Sequence, residues 1–474
     1  MFKKREGMMQ VVKTTNGYIS GTVIGRLGKE VSIFRGIPYA APPVGKLRWK
    51  PPQPVKNWKG IRECTSFTAM SPQTFIPKIT PDLPMSEDCL YLNVVTPARE
   101  PGEKLPVMVW MHGGGYASGC GCDKVWNNYR LPEYGVVVVT LTHRLGPIGL
   151  LAHPSLSKES SRGVSGNYLF LDLISSLQWI QDNISAFGGN PDNVTIFGES
   201  GGGAKVTIMM ASPLAKGLFH KAICESGTST VLLTEKTLAE SEKSGQVLFK
   251  KLGVKTLEQA RTLPAPIIIE AAQDMQGVRD PSQPPKVNDL DASADGWVLP
   301  DIPHEVFTSG SFNAVPLIVS TNLGELTGPG PLIISVLPKA YTEMLESNAR
   351  LGQKGYACVF DRVPAGWKQE GCVSVHSMEL PYVFGDWDDS TGWWDSVSVH
   401  ALRSGAKSEK PGLDATDRAV SEAMMALWTS FARNGKPKAE GIPNWPEYTR
   451  QTDRYLYLSG KSGIRAGFSK LPNS

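Results

Sequence analysis

Residues 193–203 read NVTIFGESGGG, and the interpretation of the whole chain begins with this stretch. Its first half is β-branched and apolar, which predicts a strand, and its second half places Ser200 between glycines. A strand that turns sharply into a helix strains the corner residue and pushes its side chain outward, so only very small residues fit two positions away. Gly198 and Gly202 occupy those positions. The pattern predicts a nucleophile elbow at Ser200, although a glycine-rich turn with an incidental serine has the same letters.

A second glycine-rich loop precedes the elbow in the chain. Residues 107–111, VMVWM, predict an apolar strand, and HGGGY follows at 112–116. Consecutive glycines let backbone N–H groups point into open space. In α/β-hydrolases such a loop supplies part of the oxyanion hole, and the residue after the nucleophile supplies the rest, which predicts Gly114, Gly115 and Gly201 as donors. A phosphate-binding loop is the alternative, but neither a Gly-Lys-Ser/Thr ending nor a G-x-G-x-x-G spacing is present.

The order of predicted elements favours an α/β fold. Strands alternate with helical stretches; residues 136–141 are continuously apolar, as in a strand buried on both faces, and 169–184 have helical periodicity. We therefore expect a mostly parallel central sheet with helices on both faces. The prediction is a single domain over 8–474, preceded by a flexible N-terminus at 1–7. Residues 264–300 are rich in Pro, Asp and Ser and are predicted to be a long surface connection.

Charge and cysteine content exclude several classes of partner. The formal net charge is only +4, too small to imply a nucleic-acid or anionic-membrane partner. No run approaches the roughly 18 apolar residues of a membrane helix, and the N-terminus lacks a signal-peptide core, so cytoplasmic residence is expected, with a removed signal as the alternative. The seven cysteines do not suggest a disulfide framework. The C-x-C spacing of Cys120 and Cys122 could suggest a metal or redox pair, but no matching cluster lies near them in sequence, and no metal is expected.

Several longer motifs follow one another along the chain. They are FRGIPYA at 34–40, SEDCLYLN at 86–93, RLGP at 144–147, GNY at 166–168, FHKA at 219–222 and WTSFARNG at 428–435. Together with the elbow they resemble, in the same order, the motifs of the type-B carboxylesterases, relatives of the cholinesterases. The resemblance implies an α/β-hydrolase fold and hydrolysis of a small-molecule ester without a metal or organic cofactor.

The resemblance also implies an acid and a base. The acid falls at Glu325, after the strand predicted over 315–320, although Gly324 and Leu326 depart from the family pattern. The base falls at His376, which begins HSMELPYVFG. The order Ser…Glu…His is that of α/β-hydrolases. Besides His376, only His400 among the histidines follows Glu325, and it lacks the motif.

Some charged and polar residues of these motifs are expected to support the fold. By resemblance, Arg48 with Glu87 and Arg144 with Asp172 form structural salt bridges. Ser226 is expected to be a buried polar support, and Glu199 to tune the field at the nucleophile without being the triad acid.

Three departures from the family bear on the site. Gly201 stands where alanine is usual, which is expected to leave the N–H donor and loosen the loop by about 0.4–1 kcal/mol. Cys89 lacks the family's disulfide partner near Ser71, so it is expected to be a free thiol. The interval between Glu325 and His376 is short, which predicts a shortened helical cap around 326–360 and a more open, wetter site.

The predicted function is hydrolysis of small to medium carboxylic esters through a Ser-His-Glu triad and an acyl-enzyme. An amidase, a carbamate hydrolase or an acyltransferase with the same triad is the alternative. A hormone-sensitive-lipase-like esterase would lack the N-terminal motifs, and a catalytically silent adhesion or scaffold protein usually loses the serine or histidine. Cholinesterase activity is not expected, because no tryptophan precedes Ser86 in the choline-binding position.

Overall fold

The protein is described here as a computed structural model over six ranges of the chain, namely 10–26, 28–78, 80–230, 236–275, 290–327 and 336–471. The N-terminus predicted at 1–7 lies outside these ranges. The strands are β1 (Val11–Thr14), β2 (Gly17–Ser20), β3 (Thr22–Arg26), β4 (Lys29–Pro38), β5 (Ile61–Glu63), β6 (Tyr91–Thr96), β7 (Leu105–Met111), β8 (Val137–Leu141), β9 (Gly189–Glu199), β10 (Lys221–Glu225), β11 (Leu317–Asn322), β12 (Gly355–Phe360), β13 (Arg454–Leu458) and β14 (Gly463–Ala466).

The helices fall between and after these strands. They are α1 (Gly146–Leu150), α2 (Pro154–Glu159), α3 (Tyr168–Asn183), α4 (Gly201–Ala211), α5 (Leu238–Leu252), α6 (Leu257–Thr262), α7 (Ala265–Ala271), α8 (Pro303–Ser309), α9 (Leu323–Thr327), α10 (Leu337–Arg350), α11 (Ala365–Gln369), α12 (Leu380–Val383), α13 (Trp394–Arg403) and α14 (Ala415–Asn434). Short 3-10 turns join several of them.

Most strands form one eleven-stranded sheet in the order β14-β13-β12-β11-β10-β9-β7-β8-β6-β4-β3. The run from β8 to β13 in this order is parallel, and the pairs at both ends are antiparallel. A small separate sheet contains β1, β2 and β5. The predicted mostly parallel α/β fold is therefore confirmed. Because parallel strands end at the same edge, the carboxyl ends of β7, β9, β10 and β11 converge on one site.

Side chains alternate along the central strands between two hydrophobic cores. Val107, Val109 and Met111 of β7 belong to a core shared with α3, α4 and α10. Met108 and Trp110 face a second core shared with α12, α13 and α14. This alternation follows from the period of two in a strand, and it shows helices on both faces of the sheet.

Two regions differ from their predicted character. The stretch 264–300 contains the helix α7, and its residues Leu290–Leu299 include side chains that are fully buried, such as Ala292 and Val298. Residues 276–289 of it lie outside the described ranges. The stretch 326–360, predicted as a cap, contains α10 packed on β11 and β12, followed by the central strand β12, with 328–335 not described. Its described part therefore belongs to the sheet and one of its layers, because Tyr341, Met344 and Leu345 are apolar and pack on the strands.

Two ion pairs have the structural character expected of them. The guanidinium of Arg144 binds both carboxylate oxygens of Asp172 at 2.8 and 2.6 Å, and neither side chain is exposed. Arg48 likewise holds Glu87 through Nε and Nη2. Breaking such a buried pair leaves an uncompensated charge, so these bridges stabilise the arrangement in which they occur.

The structure also gives the state of the cysteines and the apolar character of the helices. All seven thiols, Cys89 among them, are free and buried. In the described part of the chain no helix combines the length and apolar character needed to cross a bilayer.

Candidate active site

The elbow forms at the junction of β9 and α4. Ser200 has φ 57° and ψ −126°, a backbone conformation that costs a residue other than glycine about 1–3 kcal/mol. The surrounding backbone holds it there: its N–H donates to Glu225 O at 2.8 Å, and its carbonyl accepts from Ala204 N at 3.1 Å. This backbone conformation turns the Ser200 side chain out of the strand, and Ser200 lines the pocket.

The glycines around Ser200 are required by close backbone contact. A Cβ atom added to Gly198 would lie 2.5 Å from Met111 O, and one added to Gly202 would lie closer still to the same oxygen. Met111 is the last residue of β7, which pairs with β9 at Gly198. The elbow thus packs directly on the end of the strand that leads into the glycine loop.

The glycine loop at 112–115 lies against the elbow with each of its first three carbonyls held by a donor. His112 O accepts from Lys205 Nζ at 2.8 Å, Gly113 O from His112 Nδ1 at 2.9 Å, and Gly114 O from Ser118 N at 3.0 Å. The N–H groups of Gly113, Gly114 and Gly115 donate to no residue in the described ranges. Since C=O and N–H of a trans peptide point in opposite directions, each held carbonyl fixes where the next N–H points.

Gly201 is in closer contact with this loop than the sequence suggested. A Cβ added to Gly201 would lie 2.5 Å from Gly115 N and closer still to Gly115 O and Cα. An alanine methyl group at this position would overlap the backbone of Gly115, so the glycine here is required by close contact as well as being a more flexible residue than alanine. The predicted donors Gly201 and Gly115 are adjacent, as an oxyanion hole requires.

The predicted acid is held rigidly at the carboxyl end of β11. Glu325 lies in α9, and its side chain is only 1% exposed. Its Oε2 accepts from Thr321 Oγ1 and Asn322 N, both at 3.0 Å, and from Ser226 Oγ at 2.9 Å. The other oxygen, Oε1, binds His376 Nδ1 in a short hydrogen bond. This pairing fixes the imidazole with Nε2 as its free nitrogen, the arrangement that a base needs.

The free nitrogen of His376 faces a second carboxylate. His376 Nε2 lies 3.2 Å from Glu199 Oε1, which also accepts from Ser377 Oγ at 2.9 Å. Within the described ranges no hydrogen bond joins His376 to Ser200, although both line the same pocket. Such bonds are often long in the substrate-free state and tighten once substrate is bound.

Electrostatics make His376 a strong base. Burial lowers its pKa, but Glu199 and Glu325 outweigh burial and raise the pKa of His376 to about 10. Burial raises the pKa of Glu199 to about 6, partly offset by His376. His376 is therefore an imidazolium between two carboxylates at neutral pH. Glu199, Glu325 and His376 also place one potential metal-ligand atom each within 4.8 Å of one another, and in this structure the imidazole contacts both carboxylates directly.

Two further buried acids surround this group, and sequence reasoning assigned them no role. Glu379 accepts from Asn322 Nδ2 at 2.5 Å and from Ser226 Oγ at 3.3 Å; burial and then Glu199 raise its pKa well above the usual range. Burial raises the pKa of Glu225 to about 8. The one signal for Glu379 was its place three residues after His376 in the histidine motif. Ser226 bridges Glu325 and Glu379, which is the supporting position expected for it.

The pocket above these groups has a volume of about 420 Å³, within the usual size range of small-molecule sites. Ser200, His376 and the glycine loop line its floor, and Trp126, Trp393 and Ile76 are among its apolar wall residues. His400 also lines it, with its ring 5.8 Å from that of His376. Burial lowers the pKa of His400 to about 4, and the hydrogen bond to Glu325 is made by His376.

Sequence comparison agrees with this geometry. The sequence profile of the carboxylesterase family matches residues 8–339 and 334–470. The chain belongs to the carboxylesterase family. Among its relatives, a para-nitrobenzyl esterase of Bacillus subtilis is 33% identical, with 96% of each chain covered. A fumonisin B1 esterase of Sphingopyxis macrogoltabida is 34% identical, covering 96% of this chain and 88% of the relative.

Solved structures of carboxylesterases have the same fold. A para-nitrobenzyl esterase structure superposes with a TM-score of 0.79 at 29% identity, covering 96% of this chain and 97% of the other. A carboxylesterase of Geobacillus stearothermophilus gives a TM-score of 0.75 at 27% identity with the same coverage. The resemblance inferred from the motifs is thereby confirmed, and this carboxylesterase is an ester hydrolase.

Proposed function

We propose that this carboxylesterase hydrolyses small to medium esters through an acyl-enzyme formed on Ser200. The observation that carries the proposal is the Glu325–His376 hydrogen bond in the same pocket as a strained serine elbow. In this mechanism His376 Nε2 takes the Ser200 proton as the hydroxyl attacks the ester carbonyl, and returns it to the leaving alcohol. Water then releases the acid by the same steps.

The remaining groups stabilise the charges that develop. Glu325 orients the imidazole and stabilises the imidazolium. N–H groups of Gly114, Gly115 and Gly201 bind the oxyanion, each such donor being worth about 2.7–4 kcal/mol in comparable cases. The pocket volume of about 420 Å³ supports a small to medium ester rather than a long or polymeric one. The cytoplasmic location stays a prediction.

Para-nitrobenzyl and para-nitrophenyl esters are the first substrates to test, since one relative is named a para-nitrobenzyl esterase. Wild type should release para-nitrophenol from the nitrophenyl ester and para-nitrobenzyl alcohol from the nitrobenzyl ester, and an organophosphate should add to Ser200, as mass spectrometry of the peptide would report. Ser200→Ala should keep the wild-type circular dichroism spectrum and lose the label and at least about 10³-fold in kcat. Near-wild-type turnover by this variant would disprove the assignment.

The panel should include amides and carbamates that carry the same acyl group as the ester. Both oxygen and nitrogen leaving groups can be expelled through the same triad, so their relative kcat/KM values separate an esterase from the amidase and carbamate-hydrolase alternatives. If the amide is hydrolysed faster than the matched ester, amides rather than esters are the preferred substrates.

A further inference from the structure

Lys205 is a fully buried lysine one helical turn beyond the nucleophile. It lies in α4, four residues after Gly201, and its relative exposure is 0%. Nζ donates to His112 O at 2.8 Å. An apolar side chain of similar length, such as methionine, would fill this space without the cost of removing an amine from water. Packing alone therefore does not explain why a lysine occupies this position.

The hydrogen bond joins the two elements that are proposed to build the oxyanion hole. α4 directly follows Ser200 and contributes the N–H of Gly201, and the loop at 112–115 contributes Gly114 and Gly115. In the described ranges, Lys205 makes the one hydrogen bond between α4 and that loop. Elsewhere the contact consists of glycine backbone against backbone, which has no side chains to interlock.

The carbonyl that Lys205 holds determines the direction of the loop. His112 O turned toward α4 places the Gly113 N–H on the opposite side of that peptide. The His112 ring then donates from Nδ1 to Gly113 O at 2.9 Å, which orients the next peptide and the Gly114 N–H in turn. Loss of the first bond frees the peptide at the root of the loop and the Gly113 and Gly114 N–H groups that follow it, whereas the Gly114 carbonyl keeps its own donor in Ser118 N.

The surroundings of Lys205 contain two further basic side chains and no acid paired with it among the described residues. The His112 and His143 rings stack at 4.6 Å with an interplanar angle of 4°. Each Nδ1 lies 2.9 Å from a backbone carbonyl, Gly113 O for His112 and Arg144 O for His143, while neither Nε2 has a partner among the described residues. Burial lowers the pKa of Lys205 to about 7 and lowers that of each histidine further below its usual value. The amine donates to His112 O in either protonation state.

We propose that Lys205 is a positioning residue that holds the oxyanion loop in its productive orientation through the His112 carbonyl. This proposal rests on the assignment of Gly114, Gly115 and Gly201 as the oxyanion donors. Lys205 touches neither substrate nor reacting atoms, so its removal should weaken binding of the transition state and leave binding of the ground state largely unchanged.

The test is Lys205→Met, measured by kcat, KM and inhibition by an alkyl trifluoromethyl ketone, which adds to the serine and places an oxyanion in the hole. We expect kcat to fall about 10- to 100-fold with KM within twofold, and the inhibition constant of the ketone to rise by the same factor. The melting temperature should stay equal or rise, because a buried amine is removed. Lys205→Gln, which keeps an N–H donor on a shorter side chain, should recover part of kcat.

Ile208→Val is the matched control, since Ile208 is also fully buried in α4 but belongs to the hydrophobic core and has no side-chain hydrogen-bonding group. It should lower the melting temperature and leave kcat unchanged. If Lys205→Met behaves in the same way, or if Lys205→Gln has no more activity than Lys205→Met, a role in positioning is excluded. If the ketone forms no adduct with Ser200 in the wild type, the oxyanion-hole assignment fails and the Lys205 proposal fails with it. Ketone inhibition of the wild type with an unchanged constant in Lys205→Met overturns the Lys205 proposal alone.

Discussion

Gly201→Ala separates two interpretations of the residue after the nucleophile. If the added methyl group fits, alanine restricts the unfolded chain, stabilises the protein by about 0.4–1 kcal/mol and leaves activity intact. The structure predicts the opposite result. The new Cβ would lie 2.5 Å from Gly115 N, where Cβ atoms are essentially never found closer than 3.0 Å.

The size of the effect follows from that overlap. Restoring an ordinary contact of about 3.5 Å requires Gly115 or the start of α4 to move by about 1 Å. Oxyanion donors act at about 2.7–3.1 Å, so a displacement of that size takes Gly115 N–H out of range. Losing one such donor costs about 2.7–4 kcal/mol, and we therefore expect kcat/KM to fall by about 10²- to 10³-fold.

The assay is hydrolysis of para-nitrophenyl acetate, with circular dichroism and thermal melting to verify the fold. Gly463→Ala in β14 is the control, because a Cβ there meets no atom within 4 Å and the residue is remote from the pocket. The control should match the wild type. A Gly201→Ala enzyme with kcat/KM within threefold of the wild type and a raised melting temperature would refute the steric reasoning.

Three further substitutions test the buried charges. Glu199→Gln removes the carboxylate beside His376 Nε2, so the pKa of His376 should fall. The acidic limb of the pH profile of kcat/KM should then move to lower pH by at least about one pH unit, which makes the variant faster than wild type at acid pH. An unmoved limb would contradict the 3.2 Å contact between His376 and Glu199. Burial raises the pKa of Glu225 in the folded protein to about 8, so the stability that the protonated side chain gives is complete below the unfolded pKa and is lost as pH rises through 8. Relative to wild type, the free energy of unfolding of Glu225→Gln should therefore rise by up to about 5 kcal/mol between pH 5 and 9, as denaturant titrations would measure. A difference that does not depend on pH would count against this. Asp172→Ala leaves a buried guanidinium unpaired and should lower the free energy of unfolding by about 3–5 kcal/mol, with kcat per folded molecule unchanged; a shift below 1 kcal/mol would show that the pair is dispensable.

Features that depend on local rules were predictable from the sequence. The strand predicted over 107–111 is β7, which begins two residues earlier, and the helix predicted over 169–184 agrees with α3 within one residue at each end. The glycines of the elbow predicted a close backbone contact that only glycine allows, and Gly198 and Gly202 make it with Met111 O. The strand predicted in the first half of 193–203 is β9, which begins earlier, at Gly189, and its pairing with β7 is shifted between Leu105 and Val107.

Features that depend on tertiary burial were not predictable. A lysine in a helix is normally predicted to be exposed to solvent, and nothing in the sequence shows that every residue of α4, Lys205 among them, is buried. Glu379 and Ser226 are 153 residues apart, yet they share one hydrogen-bonded group. The same reason applies to residues 264–300. Their Pro, Asp and Ser content predicts a surface segment, but Asn167 hydrogen-bonds to the backbone of Ser293, and Ser293 is buried.

The position of His376 between two carboxylates favours the transition state for serine attack but disfavours the neutral imidazole that must begin the reaction. The carboxylates of Glu199 and Glu325 stabilise an imidazolium, which is the form that His376 takes in the transition state for serine attack. They stabilise the same form before substrate binds, and an imidazolium cannot accept the Ser200 proton. A base with a pKa of about 10 is therefore strong when deprotonated but mostly unavailable at neutral pH. Glu199→Gln should weaken the base and make more of it available, so the pH profiles of variant and wild type should cross, with wild type faster on the alkaline side. Glu199 ends β9 and Glu325 follows β11, so the strands of the sheet place both carboxylates beside His376 and make the pH dependence of the reaction a property of the fold.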